Sequence, residues 1–191
     1  MIDVLAALAL AGGTSPPAQE TRIEPLRIIE ETVRYPIQGD SIREIHRQLR
    51  DHGPWPAGSG HGRTRSEFEM RLDLDRDKDE CSIRGLSLTL QLIVTLPQWQ
   101  PGPAASHDVR TQWNDSLARL VRHEEGHRQH AVDVANELHR SLSGLPSQGE
   151  CARIQRKADD LLRRAVSKLR LRGMLYDQRT DHGAVDPPGS R

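Results

Sequence analysis

Two histidines and a glutamate in the second half of the chain have the spacing of a helical metal site. The stretch His123-Glu124-Glu125-Gly126-His127 fits the pattern H-E-x-x-H. On an α-helix, residues four apart lie on one face, about 6 Å apart along the axis. Two imidazoles at that spacing can bind one zinc ion, and the glutamate after the first can take a proton from a zinc-bound water. The pattern therefore predicts metal-dependent hydrolysis, and the alternative is a structural helix with a solvated His/Glu face.

A catalytic zinc site takes three protein ligands and leaves one position open. His130 follows the pattern, but it lies seven residues from His123, which is about 10.5 Å along a helix axis. Both cannot reach one ion at the usual distance of about 2.0–2.1 Å. The third ligand must therefore come from elsewhere. His139 is too far along the same helix, and the other histidines are His46, His52, His61, His107 and, near the C-terminus, His182.

The element that must position this pattern is a long helix. Apolar residues recur at steps of three and four from Val109 to Leu138, which is typical of a helix with one buried face. His127 continues that face, so at least one imidazole should point inward, where an unpartnered polar group is costly. Gly126 costs about 1 kcal/mol relative to alanine in a helix interior. That cost is explained if another group packs closely against the backbone there.

The first half of the chain is patterned for strands. Residues 68–74 and 86–96 alternate between apolar and polar side chains, which predicts an antiparallel hairpin with one face on the core. Pro97 is predicted to end it. Residues 27–37 predict a further strand, placed at an edge by its proline.

Helices are predicted around and after these strands. Asp40 or Ser41 can cap a short helix that ends before Gly53. Ser147 and Glu150 form a capping-box pattern ahead of a last helix, and a polar tail follows from residue 176. The pattern as a whole predicts an α+β fold in which an antiparallel sheet packs on long C-terminal helices.

Length and composition limit the classes of function. A chain of 191 residues is most simply one domain, here predicted over 21–184, with a leader and linker over 1–20 and a disordered tail over 185–191. Acidic and basic side chains balance at 27 each, and aromatic residues make up 3%, so neither charge nor stacking indicates nucleic-acid binding. No apolar run is long enough for an integral membrane segment. The sequence carries no signal of an oligomeric state.

The N-terminus and the two cysteines both bear on export. Residues 4–11 look like the apolar core of a signal peptide, and Ala9-Leu10-Ala11 resembles a cleavage site. Asp3 stands where a basic residue is expected, so the signal peptide is atypical or truncated. Cys81 and Cys151 are either buried free thiols or, in an exported chain, one disulfide across a long loop.

Several further motifs occur in a recognisable order. They are Tyr35-Pro36-Ile37-Gln38-Gly39, Gln48-Leu49-Arg50 with the Gly53-Pro54 turn, Cys81, Leu96-Pro97 followed by a tryptophan, the H-E-x-G-H helix, Cys151, and Tyr176-Asp177-x-x-Thr180-x-His182-Gly183. Over residues 28–184 this order resembles a bacterial family of predicted secreted zinc-dependent proteases, long catalogued as a domain of unknown function. The resemblance implies a zincin-like fold with the motif on its active-site helix, export, a Cys81–Cys151 pairing, and His182 as the third zinc ligand.

The function predicted on this basis is that of a zinc metallopeptidase, periplasmic or secreted, acting on a peptide or protein substrate. Glu124 is the general base. Tyr176 is either a donor to the developing oxyanion or a packing residue. Asp177 orients a zinc-bound histidine, replaces His182 as the third ligand, or is a turn residue.

Two other functions stay open at this point. One is a non-catalytic extracytoplasmic binding or scaffold protein that keeps the same fold, and the other is a zinc hydrolase of an amide other than a peptide bond. An intact Glu124 favours an enzyme, because a scaffold has no chemical need for it.

Overall fold

The computed structural model describes residues 21–53 and 61–185. Within these ranges the chain has a mixed α+β fold with a five-stranded sheet and three helices. The predicted leader over 1–20 and, except for Val185, the tail predicted over 185–191 lie outside the described residues. None of the described helices is both long and apolar enough to cross a membrane. The elements in chain order are β1 (Arg22–Ile23), β2 (Arg27–Gly39), α1 (Ile42–His52), β3 (Arg63–Asp77), β4 (Glu80–Pro101), α2 (His107–Ser143), β5 (Gln148–Glu150) and α3 (Cys151–Thr180).

The long strand β4 forms the centre of the sheet. β3 pairs with it antiparallel along one edge, from Arg63 opposite Thr95 to Asp77 opposite Glu80, so the predicted hairpin is confirmed. β5, β1 and β2 share the other edge. The prediction of an antiparallel sheet is wrong for β1 and β2, which run parallel to β4, whereas β5 is antiparallel to it. Parallel pairing needs a crossover connection, and α1 and β3 supply it between β2 and β4.

Strand β4 extends further than its sequence predicts. Pro97 does not end it, because β2 continues beside it: Tyr35 stands opposite Pro97, and the pairing runs on to Gly39 opposite Pro101. A proline lacks one ladder donor, but the parallel neighbour pairs on both sides of it. The other hydrogen bonds between β2 and β4 therefore keep the strand continuous although one backbone hydrogen bond is missing at Pro97.

The turn before α3 also differs from its prediction. Ser147 does not cap that helix, since its carbonyl accepts from the Ile83 N–H at 2.8 Å and the next three residues pair with β4 as β5. Glu150 is the N-cap and makes no side-chain capping bond. A disulfide between Cys81 and Cys151, whose Cα atoms are 4.9 Å apart, joins β4 to the start of α3 here. The pairing of the two cysteines is therefore confirmed.

Helix α1 begins as predicted. Ser41 is its N-cap and accepts from the Glu44 N–H, while the Glu44 carboxylate accepts from the backbone N–H groups of Asp40 and Ser41 at 2.8 and 3.2 Å. This capping box satisfies donors that the first helical turn leaves without partners.

Helices α2 and α3 pack on one face of the sheet. The alternate leucines of β4 from Leu86 to Leu92 are buried against this helical layer, with Val134 of α2 and Ala158 of α3 among their neighbours. α3 continues to Thr180, so the polar tail predicted from residue 176 is wrong. Tyr176 and Thr180 are both buried and extend the inward face of α3, which brings the end of α3 beside the middle of α2.

Candidate metal centre

The two histidines of the pattern and one aspartate form a compact cluster between α2 and α3. His123 Nε2 lies 3.1 Å from His127 Nε2, and Asp177 Oδ1 lies 3.2 Å from the first nitrogen and 2.8 Å from the second. Among the described residues, these three side chains form the group whose ligand atoms lie close enough together to hold a metal ion.

The donor set fits a tetrahedral zinc ion. Ligand atoms about 2.0–2.2 Å from such an ion stand about 3.3–3.6 Å from one another. The separations of 2.8–3.2 Å would need to widen by about 0.1–0.8 Å to reach these values. Two imidazoles and one carboxylate are also common zinc ligands, and they leave a fourth position for water.

Thr180 fixes the orientation and tautomer of His123. This hydroxyl is fully buried and lies 2.8 Å from the Tyr176 carbonyl, to which it donates its one proton. It must therefore accept the proton of His123 Nδ1, 3.1 Å away. The lone pair of His123 then lies on Nε2, which faces Asp177. Burial holds the pKa of His123 below its ordinary value, and the neighbouring His127 lowers it further, so the neutral form that binds metals is favoured.

Glu124 follows His123 on α2, and its side chain lies against Thr64, near the start of β3. Its side chain is 3% exposed, and Thr64 Oγ1 donates to its Oε2 at 2.8 Å. A Cβ atom on Gly62 would stand 2.5 Å from Oε1, so only glycine leaves room for this carboxylate. Burial raises the pKa of Glu124 to about 7, with the hydrogen bond from Thr64 acting in the other direction. A carboxyl group of this kind can take up and release a proton near neutrality.

Tyr176 packs between the helices. Its ring stacks on His123 with centroids 5.1 Å apart and an interplanar angle of 16°, and it meets the rings of His127 and His130 edge-on. Its hydroxyl is buried and has no hydrogen-bond partner within the described structure. A Cβ on Gly126 would stand 2.1 Å from this hydroxyl. The close packing predicted at Gly126 is therefore confirmed, and Tyr176 is the group that packs there.

Alanine at Gly126 is expected to force the two helices apart. The added carbon would overlap the Tyr176 ring as well as its hydroxyl, and overpacking of this kind costs about 1–3 kcal/mol of unfolding free energy, occasionally more. The matched control is Gly173→Ala in α3, where the nearest atom to a new Cβ is 3.8 Å away and helix propensity should add up to about 1 kcal/mol. Urea denaturation of both variants measures the difference.

A double variant tests whether Tyr176 is the cause of the destabilisation expected in Gly126→Ala. Adding Tyr176→Ala to Gly126→Ala should remove the overlap, so the double variant should be more stable than the two single effects predict when added. Equal unfolding free energies for Gly126→Ala and the wild-type protein would contradict the packing described here.

The other predicted histidines lie outside the cluster. His130 meets the edge of Tyr176, and its Nδ1 is buried without a partner in the described structure. His182 is exposed, on the turn that ends α3, where Asp181 and His182 both have positive φ angles. Gly183 follows with a φ of +86°, and a Cβ there would stand 3.1 Å from the His123 side chain. The turn thus brings Gly183 against His123, while His182 lies outside the group of ligand atoms.

Several site residues received no role from the sequence. The sequence identified Thr180 only as part of a motif. Its spacing of three residues from Asp177 could have indicated a role, because that spacing places both residues on the same side of α3. Thr64 and Gly62 lie about sixty residues before Glu124. No local pattern links them to it.

Comparison with known sequences and structures gives one match. The profile of the family described as "Bacterial protein of unknown function (DUF922)" matches residues 32–183. The searches of curated proteins and of solved structures found no match. The matched region includes β4, the motif of α2, both cysteines and the end of α3. The chain therefore belongs to the bacterial DUF922 family, whose description assigns no function.

Proposed function

We propose that this protein is a zinc-dependent metallopeptidase. The observation that carries the proposal is the convergence of His123 Nε2, His127 Nε2 and Asp177 Oδ1 within 3.2 Å of one another. A cluster of two histidines and a carboxylate, with a buried glutamate next to the first histidine, combines a metal site with a proton acceptor.

The proposed ligands are His123, His127 and Asp177. Asp177 is assigned as the third ligand in place of His182 because its Oδ1 lies 2.8 Å from His127 Nε2, whereas His182 is exposed on the following turn. Thr180 holds the His123 ring so that Nε2 faces the centre, as the partners of metal-bound histidines commonly do. Tyr176 supports both imidazole rings by packing.

A zinc ion bound there supplies Lewis acidity, which lowers the pKa of a water and polarises a carbonyl group. Glu124 takes one proton from the attacking water. The water oxygen bonds to the carbonyl carbon, the C–N bond breaks, and Glu124 passes the proton to the leaving nitrogen. Thr64 and Gly62 keep the Glu124 carboxylate in place, because one donates to Oε2 and the other leaves room for Oε1.

The fold and location proposed with this function are a zincin-like domain outside the cytoplasm. The mixed sheet with the motif on a long helix behind it supports the first part. The Cys81–Cys151 disulfide supports the second, because such bonds persist mainly in oxidising compartments. The disulfide closes a loop of 70 residues, and it stabilises the fold by about 4 kcal/mol in the chain-entropy description.

Metal content and peptide hydrolysis test the proposal together. The purified, oxidised protein should contain about one zinc ion per chain by mass spectrometry, since three ligands define one site. Removing the metal with a chelator should abolish hydrolysis of a mixed peptide substrate, and adding zinc back should restore it. A folded protein that stays metal-free and inert after zinc addition would refute the proposal.

A further inference from the structure

Two cavities lie near the candidate metal centre, one bordered by His127 and the other by α2 residues that precede the motif. The first, of about 520 Å³, is bordered by His127, by Thr64 and Phe68 of β3 and by the middle of α3; we call it the β3 cavity. The second, of about 740 Å³, is bordered by α1, by residues 112–120 of α2 and by the turn after α3; we call it the α1 cavity. The histidines and Glu124 therefore have two cavities near them.

The α1 cavity is bordered by residues that contact the proposed catalytic groups. Leu120 lines it and lies one helical turn before Glu124. A Cβ on Gly62 would touch both, at 2.9 Å from Leu120 and 2.5 Å from Glu124 Oε1. Gly183 also lines the cavity and packs against His123. A ligand in this cavity is therefore one residue layer away from both the base and the first metal ligand.

The lining of the α1 cavity changes in character with depth. Its buried lining is apolar and comes from Ile45, Leu49, Pro97 and Trp113. Its exposed lining is mostly polar, with His61, Asp115, Ser116 and His182 among the residues. An apolar floor under a polar rim suits a ligand that inserts a large apolar side chain and keeps its polar backbone near the opening.

We propose that the α1 cavity binds the residues on one side of the scissile bond of an extended peptide, with a large apolar side chain on the Ile45–Trp113 floor. The β3 cavity then takes the residues on the other side. This inference rests on the proposed peptidase function and names its substrate class. Both cavities are in the size range of ligand sites, and a pair of cavities beside the cleavage groups fits a continuing polypeptide better than a small amide.

The test begins with the cleavage preference of the zinc-loaded wild-type protein. A proteome-derived peptide mixture is digested, and mass spectrometry identifies the residues around each cut. We expect Leu, Ile, Met, Phe or Trp to be enriched at one position on one side of the cleaved bond. The best-cleaved sequence then serves as a fluorogenic substrate and, labelled with fluorescein, as a binding probe.

Two variants narrow the α1 cavity without touching the cluster. Ser116→Trp and Gln112→Trp each place an indole at the exposed rim on α2. Each should raise KM for the preferred peptide about tenfold. Changes of this size are typical when a side chain fits a hydrophobic pocket less well. Combined with Glu124→Gln, which slows cleavage enough for a binding measurement, each should weaken binding of the labelled peptide by a similar factor. The matched control is Ser141→Trp, an exposed serine of the same helix outside the cavity, which should change neither value.

The outcomes separate the two proposals. Peptide hydrolysis without any apolar preference, or equal peptide affinity in the rim variants and Ser141→Trp, would overturn the assignment of the α1 cavity and leave the peptidase intact. Absence of hydrolysis of every peptide by zinc-loaded wild-type protein would overturn the peptidase, and the cavity assignment with it.

Discussion

Glu124→Gln is expected to lower the rate of peptide hydrolysis by about 10²–10⁴-fold, the usual contribution of a positioned general base. Glutamine keeps the shape of the side chain and can still accept from Thr64, but it cannot take a proton from water. Because Glu124 lies outside the group of ligand atoms, the variant should bind zinc as the wild-type protein does. Steady-state kinetics and metal analysis of the same preparation measure both effects.

The neighbouring glutamate supplies the control. Glu125 is exposed and paired with Arg128 at 3.0 Å, so Glu125→Gln removes the same charge from the adjacent position without reaching the cluster. Its hydrolysis rate should stay within a factor of about two of wild type, since exposed ion pairs contribute little. Equal losses in both variants, or unchanged hydrolysis in Glu124→Gln, would remove Glu124 from the mechanism.

Asp177→Ala is expected to weaken zinc binding more than any other single change on α3. The variant lacks one of the three ligand atoms. Mutating a residue that only hydrogen-bonds to a ligand lowers metal affinity by roughly 10–100-fold, and we expect the loss of affinity in Asp177→Ala to be larger. His182→Ala is the matched comparison, because it lies five residues away on the exposed turn and, in this assignment, leaves the ligand set complete. Competition with a fluorescent zinc chelator gives both affinities.

The comparison between the two variants decides the third ligand. Zinc affinity near wild type in His182→Ala together with a large loss in Asp177→Ala supports the assignment made from the distances. The reverse pattern would restore the ligand set that the family resemblance implied. Circular dichroism of both variants keeps a loss of fold from being mistaken for a loss of a ligand.

Much of the local structure follows from the sequence because its causes are local. The alternation over 86–96 gave strand β4, and the Ser41-Glu44 capping pair gave the start of α1. The close packing at Gly126 could be expected from the cost of a glycine in mid-helix. The residue that packs there could not be identified, since Tyr176 lies fifty residues further along the chain.

The errors all involve contacts with distant segments. Pro97 would end an isolated strand, but β2 holds it within a parallel ladder. Ser147 would cap an isolated helix, but β4 binds its carbonyl instead. Residues 176–180 have the composition of a polar tail, but they form the last turn of α3, where packing on α2 buries Tyr176 and Thr180.

The position of Asp177 in the last turn of α3 has a consequence for how long a metal ion would stay bound. His123 and His127 lie in the middle of a 37-residue helix, whereas Asp177 lies three residues before a helix end, and helix ends fray at little cost in free energy. Opening that one turn would withdraw a ligand without unfolding the domain. The backbone bonds from Gly183 and Val185 to the Thr180 carbonyl, both 3.0 Å, oppose this opening. If a metal ion binds at this cluster, we expect its residence time to depend on these hydrogen bonds after α3 more than on the stability of the core.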